Sequence, residues 1–429
     1  MSHDTPARFT IQGFGVPQQH DLIAAKENQI RQAALAITQE MLQKSIEAEI
    51  TLELGAHGAV RSESVTTWQC RRCQSRSAKQ FRRNGHYRRR LTVREGTIPL
   101  RMPLVRCRCG GYVEIPWQTV DKRARYWLDV ELDGIRHYLA GMSYRLVGDA
   151  AGSMALTNIS HVQPWRTMQA VGAYTGDHPV SLAPCPHSVV LDEAYMSVGG
   201  AKMVFLIAVA DDGRVLAVWG PTERTLANWQ ELLEWLTERG ISPVQGLVGV
   251  TADGDSAIRE AVHLVWPRVV LQQCVWHILE RVADQVAAVY GAEAAYVEQI
   301  VDQAARIFVR NPEKPQAMER ARVRLTTFLV THQGTGWGEV VSRAFEEGTE
   351  YLRTPGLMRT NGAAERLIKD LRRRTRPMDG FKSEEGAKHF AVVWRVWKNM
   401  RLGLSRDAAR RRSRHADNLK IRHAHPKLA

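Results

Sequence analysis

The stretch Gly246-Leu-Val-Gly-Val-Thr-Ala-Asp253-Gly-Asp-Ser-Ala-Ile258 decides the fold. Its apolar run is bounded by glycine and too short for a helix, so it reads as a buried strand ending in a carboxylate, Asp253. Gly254 then breaks the strand, and Ser256 is placed to cap a short helix over Ser256–Val265. An acid at the carboxyl end of a buried strand stands at the rim of a sheet, where α/β proteins carry ligand chemistry. The plainer alternative is that Asp253 or Asp255 only shapes the turn.

Working upstream, Ser188-Val-Val-Leu-Asp192 has the same design, a short β-branched run ending in an acid. Between the two acids lie Met203–Val209, the turn Asp211-Asp-Gly213 and Val215–Trp219, a strand pair joined by Asp-Gly as hairpins are. Thr225–Arg239 sets Leu226, Trp229, Leu232, Leu233 and Leu236 on one helical face. After Asp253 come a helix, the strand Val269–Gln272 and another helix. Three meandering strands followed by alternating helix and strand is the order of an RNase H-like α/β fold. In it strands one and four are neighbours, so Asp192 and Asp253 are expected side by side.

Two clustered carboxylates repel, and need a cation or a proton to coexist. Oxygen donors suit Mg²⁺ or Mn²⁺, which serve phosphodiester chemistry by activating a nucleophile and steadying a leaving oxygen. A third acid is available in Arg359-Thr-Asn361-Gly-Ala-Ala-Glu365-Arg-Leu-Ile-Lys-Asp-Leu-Arg-Arg-Arg-Thr-Arg376. Asn361 is placed to cap a helix whose first turns carry Glu365. Arg366, Lys369, Arg372, Arg373, Arg374 and Arg376 follow at a density suited to phosphate contacts. A merely solvated helix would be less lopsided.

Taken in order, Asp192, Asp253-Gly, Cys274-Val-Trp-His277 and Thr360-Asn-Gly-Ala-Ala-Glu365 with Arg372-Arg-Arg-Thr resemble the signature of DDE transposases of the bacterial Mutator-like insertion sequences. The resemblance runs from Pro184 to Leu402. It implies a metal-dependent nuclease and strand transferase acting on double-stranded DNA, both element ends and target. Asp192, Asp253 and Glu365 would be its acidic triad, holding Mg²⁺ or Mn²⁺. It also implies a helical insertion between the second Asp and the Glu, which the Ala-, Val-, Glu- and Arg-rich residues 278–355 fit. The core is then split into 184–277 and 356–402, with a basic tail over 403–429. Cys274 and His277 offer ligand types but only two of them, so a role supporting the triad is expected, with core packing as the alternative. Trp337 reads as packing between insertion helices or as a ring stacking on an unpaired base.

The N-terminal part points the same way. A net charge of +14 favours a polyanionic partner, with a membrane surface or ribosome as rivals. No apolar run is long enough to span a bilayer and the N-terminus lacks a signal-peptide layout, so a cytoplasmic, nucleoid-associated protein without membrane contact is expected. Six cysteines in this setting argue for reduced thiols or metal ligands. Within residues 1–60, His20–Leu54 is an amphipathic helix that either packs on its own protein or dimerises; a homodimer or higher oligomer on DNA is expected.

In residues 61–118, Cys70-Arg-Arg-Cys73 and Cys107-Arg-Cys109-Gly-Gly resemble a zinc ribbon whose four thiolates hold Zn²⁺. The alternative is four free buried thiols. Arg82, Arg83, Arg88, Arg89 and Arg90 flank Tyr87 and are expected to grip DNA, and Leu91–Met102 alternates around Gly96 as a hairpin. Residues 119–172 read as a helix-turn-helix: a turn at Gly141, a helix capped by Ser143, then a helix presenting Ser160, His161, Gln163 and Arg166 to a major groove. A plain three-helix linker is the rival, and Gly172–Pro186 joins it to the core. The expected architecture is thus α/β, an RNase H-like catalytic core with an all-α insertion, preceded by a zinc-ribbon-like module and a helix-turn-helix. The functional alternatives are a non-catalytic, sequence-specific DNA-binding regulator and a structure-selective nuclease without strand transfer.

Overall fold

A computed structural model describes residues 17–55, 65–121, 124–178, 181–291, 295–310, 312–313, 316–378 and 380–403. Of residues 1–20, whose Gly, Pro and Gln read as poorly ordered, 1–16 lie outside the described residues, as does the basic run Arg406–Arg414, whereas Pro17–His20 open a helix. Two units divide the chain: Met1–Tyr138 with Met142–Trp165, and Leu139–Gly141 with Arg166–Ala429.

In the first unit, helix α1 (Pro17–Leu54) carries Leu42, Ile46, Ile50 and Leu54 one turn apart, and all four are buried. They share a core with Phe81, Leu91, Val93, Ile98, Leu100 and Met102. Burying each such side chain contributes roughly 1.5–3 kcal/mol, so this half of α1 is held by its own protein. Ile23, Ile30 and Ile37 nearer its start stay exposed. Strand β1 (Gln69–Cys70) pairs at a distance with β4 (Val113–Glu114); between them, β2 (Phe81–Val93) and β3 (Gly96–Cys107) form the hairpin. That hairpin is much longer than Leu91–Met102, because the ladder continues through the arginine-rich segment where no apolar alternation announces it.

Three helices follow: α2 (Leu128–Ala140), α3 (Tyr144–Ala155) and α4 (Val162–Asp177). The Ser143 side chain caps α3 by accepting the Leu146 N–H. Gly148 and Gly152 let the next segment come close: a Cβ there would stand 2.7 Å from the Ile159 carbonyl oxygen and 2.6 Å from that of Thr157. Pro164 falls in the first turn of α4, where its missing N–H breaks no helical bond.

The second unit is built on a five-stranded sheet of β5 (Ser188–Val198), β6 (Ala201–Ala210), β7 (Val215–Thr222), β8 (Gly249–Ala252) and β9 (Val270–Gln273), in the spatial order β7-β6-β5-β8-β9. The β5–β6 and β6–β7 pairs are antiparallel; β5–β8 and β8–β9 are parallel. Strands one and four are neighbours, as read from the sequence. Helices α5 (Leu226–Glu238, capped by Thr225) and α6 (Ser256–Val265) cover one face. There Trp229, Leu232, Leu233, Leu236, Ile258 and Val262 pack on Val189, Leu191, Leu206 and Val250.

Beyond β9, helices α7 (Val275–Tyr290), α8 (Ala295–Ile307), α9 (Ala317–His332) and α10 (Gly336–Gly348) enclose a core of their own, including Val286, Ile300, Phe328 and Phe345. Trp337 is buried in that core beside Tyr290 and His332, so it packs rather than probes. Polar side chains bring the chain back to the sheet. The Gln272 amide donates to the Gly348 carbonyl at 3.0 Å and accepts the Tyr351 N–H at 2.9 Å. The Thr251 hydroxyl donates to the Met358 carbonyl at 2.6 Å. Helix α11 (Gly362–Thr375) then starts at the rim, burying Ala364, Leu367, Ile368 and Leu371. A last helix, α12 (384–403), reaches β7 through Asn399, whose amide pairs with both backbone groups of Val215.

Candidate active site and metal centre

Register brings the two aspartates level. Ser188 faces Gly249, Val189 faces Val250 and Val190 faces Thr251; carried two residues further, the same register aligns Asp192 with Asp253. Strand β5 does not stop at Asp192 as its sequence suggested. It runs on to Val198 against β6, while the parallel ladder with β8 ends at Val190, so Asp192 lies just past the last parallel pair. Side chains alternate across a strand. Leu191 therefore packs under α5 and α6, while Asp192 emerges on the side of Asn361. Glu365 is exposed in the first turn of α11.

Asp192 reports the electrostatics. It is 9 % exposed, with one carboxylate oxygen accepting the Glu193 N–H at 2.8 Å and the other the Asn361 amide at 2.8 Å. Burial, followed by the charges of Asp253 and Glu365, still pushes its pKa up to about 7 against those hydrogen bonds. Glu193 is likewise raised to about 7, mainly by burial, with Asp253, Asp192 and Asp255 adding to the shift and Arg224 opposing it. Among the described residues no three carboxylates converge within 4.8 Å of one another.

Neighbouring side chains divide the work around these acids. Asp255, the rival of Asp253, caps α6 by accepting the Ala257 and Ile258 N–H groups, so the cap is Asp255 and not Ser256. Asn361 occupies the N-cap position of α11, but its side chain makes no capping bond and is turned to Asp192 instead. The buried Cys274 thiol donates to the Asn361 carbonyl oxygen at 3.2 Å, giving a chain Cys274–Asn361–Asp192. His277 does not join it. Its Nδ1 is buried and meets no hydrogen-bond partner among the described residues, and the ring stands edge-on to Trp276 at 5.0 Å. Arg224 is a residue that sequence reasoning did not single out, since it sits in no periodic pattern and at no ligand spacing; Asn361 was read only as a helix cap, not as a partner of Asp192.

In the first unit the four cysteines Cys70, Cys73, Cys107 and Cys109 do meet, their sulfurs all within 4.8 Å. Cys70 and Cys109 are 3.5 Å apart and Cys73 and Cys107 3.6 Å, close to the ~3.8 Å edge of a tetrahedron of thiolates around one zinc ion. All six cysteines are free of disulfides. Gly111 makes room: a Cβ there would lie 2.7 Å from the Cys70 sulfur. Burial pushes the Cys107 thiol up to about 12. For Cys70 burial acts in the same sense, but the N–H groups of Cys73 and Arg72 outweigh it and draw it down to about 6. These four residues could bind a metal ion, and the spacing is compatible with zinc.

The expected DNA contacts sort by exposure. Arg82, Arg88 and Arg90 on β2 are exposed, as are His161 before α4, Arg166 within it, and Arg372 and Arg373 on α11. Arg83 is committed to Glu47 at 3.1 Å, and Arg89 to the Ala124 carbonyl. Gln163, expected exposed, is half-buried and donates to Glu131. Arg374 is 6 % exposed with its guanidinium 5.7 Å from the Phe390 ring, so it faces inward and is corrected from phosphate contact to packing. A cleft lined by Tyr195, Lys202, Arg372 and Arg376 adds one cation the sequence did not flag, Lys202.

Acids on β5, just past the end of β8 and on a returning helix, beside a basic helical face, define an α/β protein with an acidic rim. The chain matches the family "Transposase, Mutator family" over residues 18–400, and it belongs to that family. It is 27 % identical over 168 residues to the transposase for insertion sequence element IS406 of Burkholderia multivorans, a match spanning 38 % of this chain and 40 % of that protein. No described helix is long and apolar enough to cross a membrane.

Proposed function

We propose that this chain cuts the DNA ends of an insertion sequence and joins them to target DNA, with Asp192, Asp253 and Glu365 as metal-binding acids on an RNase H-like core. The observation that carries this reading is the upward pull of Asp253 and Glu365 on the Asp192 carboxyl, with both aspartates two residues beyond the last parallel pair of β5 and β8, Val190 and Thr251. Family membership and the order β7-β6-β5-β8-β9 support it as well. The donor set is all oxygen, which suits Mg²⁺ or Mn²⁺. Such an ion, when bound, supplies charge neutralisation at the scissile phosphate and a more acidic attacking water.

The chain's own part is positioning. Asn361, held by Cys274, orients one Asp192 oxygen; the Glu193 N–H fixes the other. Arg372 and Arg373 on the exposed face of α11, and the cations of the adjoining cleft, hold phosphates near the acids. Water attacks phosphorus and the bond to the 3′ oxygen breaks, leaving a 3′-hydroxyl and a 5′-phosphate. That hydroxyl then attacks a target phosphodiester, forming one P–O bond as another is released. The four cysteines hold zinc as a structural, ribbon-like knuckle pair, and the exposed arginines of β2 and the face of α4 bind double-stranded DNA, with the protein acting as a dimer or larger assembly.

The test is an incubation of purified protein with labelled end DNA and Mg²⁺. The expected result is nicking and joined products for the natural chain. Asp253→Asn should fall to the uncatalysed background while retaining DNA binding in a gel-shift assay. Equal cutting by that variant overturns the assignment; binding without any Mg²⁺-dependent nicking points to the regulator, and nicking without joining to a simple nuclease.

A further inference from the structure

The acidic rim holds a cation supplied by the chain itself. Arg224, in the turn between β7 and α5, reaches three acids with one guanidinium. Its Nη1 lies 3.1 Å from Glu193, while its Nη2 lies 3.2 Å from Asp253 and 2.8 Å from Asp255. The three acids are not equivalent. The Glu193 side chain is only 9 % exposed, and its second oxygen is buried with no hydrogen-bond partner among the described residues. An ionised carboxylate so enclosed holds its cation firmly, since losing it would strand a buried charge. Asp255 already uses one oxygen to cap α6. Asp253 lies at the rim and is one of the three acids assigned above to the metal. One amino group of Arg224 is therefore anchored in the fold, and the other sits where an incoming divalent ion needs to bind.

We propose that Arg224 is a tethered counter-ion of this site. Its Nη2 neutralises Asp253 while no divalent ion is present and releases it when Mg²⁺ or Mn²⁺ arrives, the guanidinium staying on Glu193. The inference rests on the reading of Asp192, Asp253 and Glu365 as metal ligands. It assigns to Arg224 a positioning role: the residue keeps like charges from splaying the rim and sets the ion concentration at which the site fills. An arginine in competition for a ligand weakens metal binding, and its positive charge repels the ion as well. Removing it should tighten binding.

The experiment measures Mn²⁺ affinity of the full-length, Zn²⁺-loaded protein from the electron paramagnetic resonance signal of free Mn²⁺. Arg224→Gln should bind roughly two- to fivefold more tightly, the scale of releasing a partly exposed ion pair. Arg224→Lys keeps the charge but cannot span two acids as a fork, so its affinity should fall between the two, and it serves if the glutamine variant does not fold. Asp253→Asn should lose the site. If Asp253→Asn loses Mn²⁺ but both Arg224 variants bind no tighter than the natural chain, the counter-ion role is wrong and the metal site stands. If Asp253→Asn binds as well as the natural chain, the metal assignment fails, and this inference with it.

Discussion

Asp192 has both carboxylate oxygens satisfied by N–H donors and still holds its proton far above its ordinary value of 3.8. Burial is the first cause and the neighbouring acids the second. The consequence for stability has a definite sign. Between about pH 4 and pH 7 the folded chain keeps a proton here that the unfolded chain has already lost. Stability from this group is therefore fully present below pH 4 and lost as pH rises through about 7; Glu193, raised in the same way, adds to the trend. With no divalent cation added, the melting temperature should fall from pH 5 to pH 8. In Asp192→Asn that fall should be shallower by roughly 2–6 °C. Parallel slopes for the two proteins would remove Asp192 as the source. Mg²⁺ added at pH 8 should raise the natural chain's midpoint, because a ligand of the folded state stabilises it by mass action.

At the level of elements, much of this design was legible. A buried run ending in Asp253, its likeness around Asp192, and a meander followed by alternating helix and strand were readable because apolar periodicity follows the sheet. Two things were not. Strand β5 past Asp192 buries Ala194, Met196 and Val198 in alternation, but the acid in its middle reads as an end; the outer half of β2 is arginine-rich and is a strand because the β3 ladder satisfies its backbone, not because its side chains alternate. Competition between caps was equally hidden. Asp255 takes the α6 cap ahead of Ser256, and Asn361 leaves its own cap position to serve Asp192, choices that only the tertiary arrangement decides. The cysteine pairs, by contrast, were legible from spacing alone, although the strand β1–β4 pairing that joins the knuckles was not. If these thiols hold zinc, Cys73→Ser should drop the bound zinc from about one ion per chain towards none. Elemental analysis reads that directly, and an unchanged metal content would leave the cluster as a group of reduced thiols.

On the scale of the whole molecule, the net charge of +14 is a statement about partners only where the cations are free to meet phosphate. Sequence density alone overcounts them. Arg374 is buried against Phe390 and Arg83 is paired with Glu47, whereas Arg88 and Arg90 project from β2 into solvent. Each cation that neutralises a phosphate releases condensed counter-ions, so its removal lowers the salt dependence of binding by a fixed step. Arg88→Ala and Arg90→Ala should each reduce the slope of log affinity against log salt by about 1, and weaken binding to unrelated DNA sequences equally. Arg83→Gln should change that slope far less, because its guanidinium already has a carboxylate. Titrations of a DNA duplex at several salt concentrations separate the two groups. Equal slopes for Arg88→Ala and the natural chain would mean that the exposed face of β2 does not lie on DNA, and the bound surface would then have to be sought along α11 and the cleft beside Tyr195.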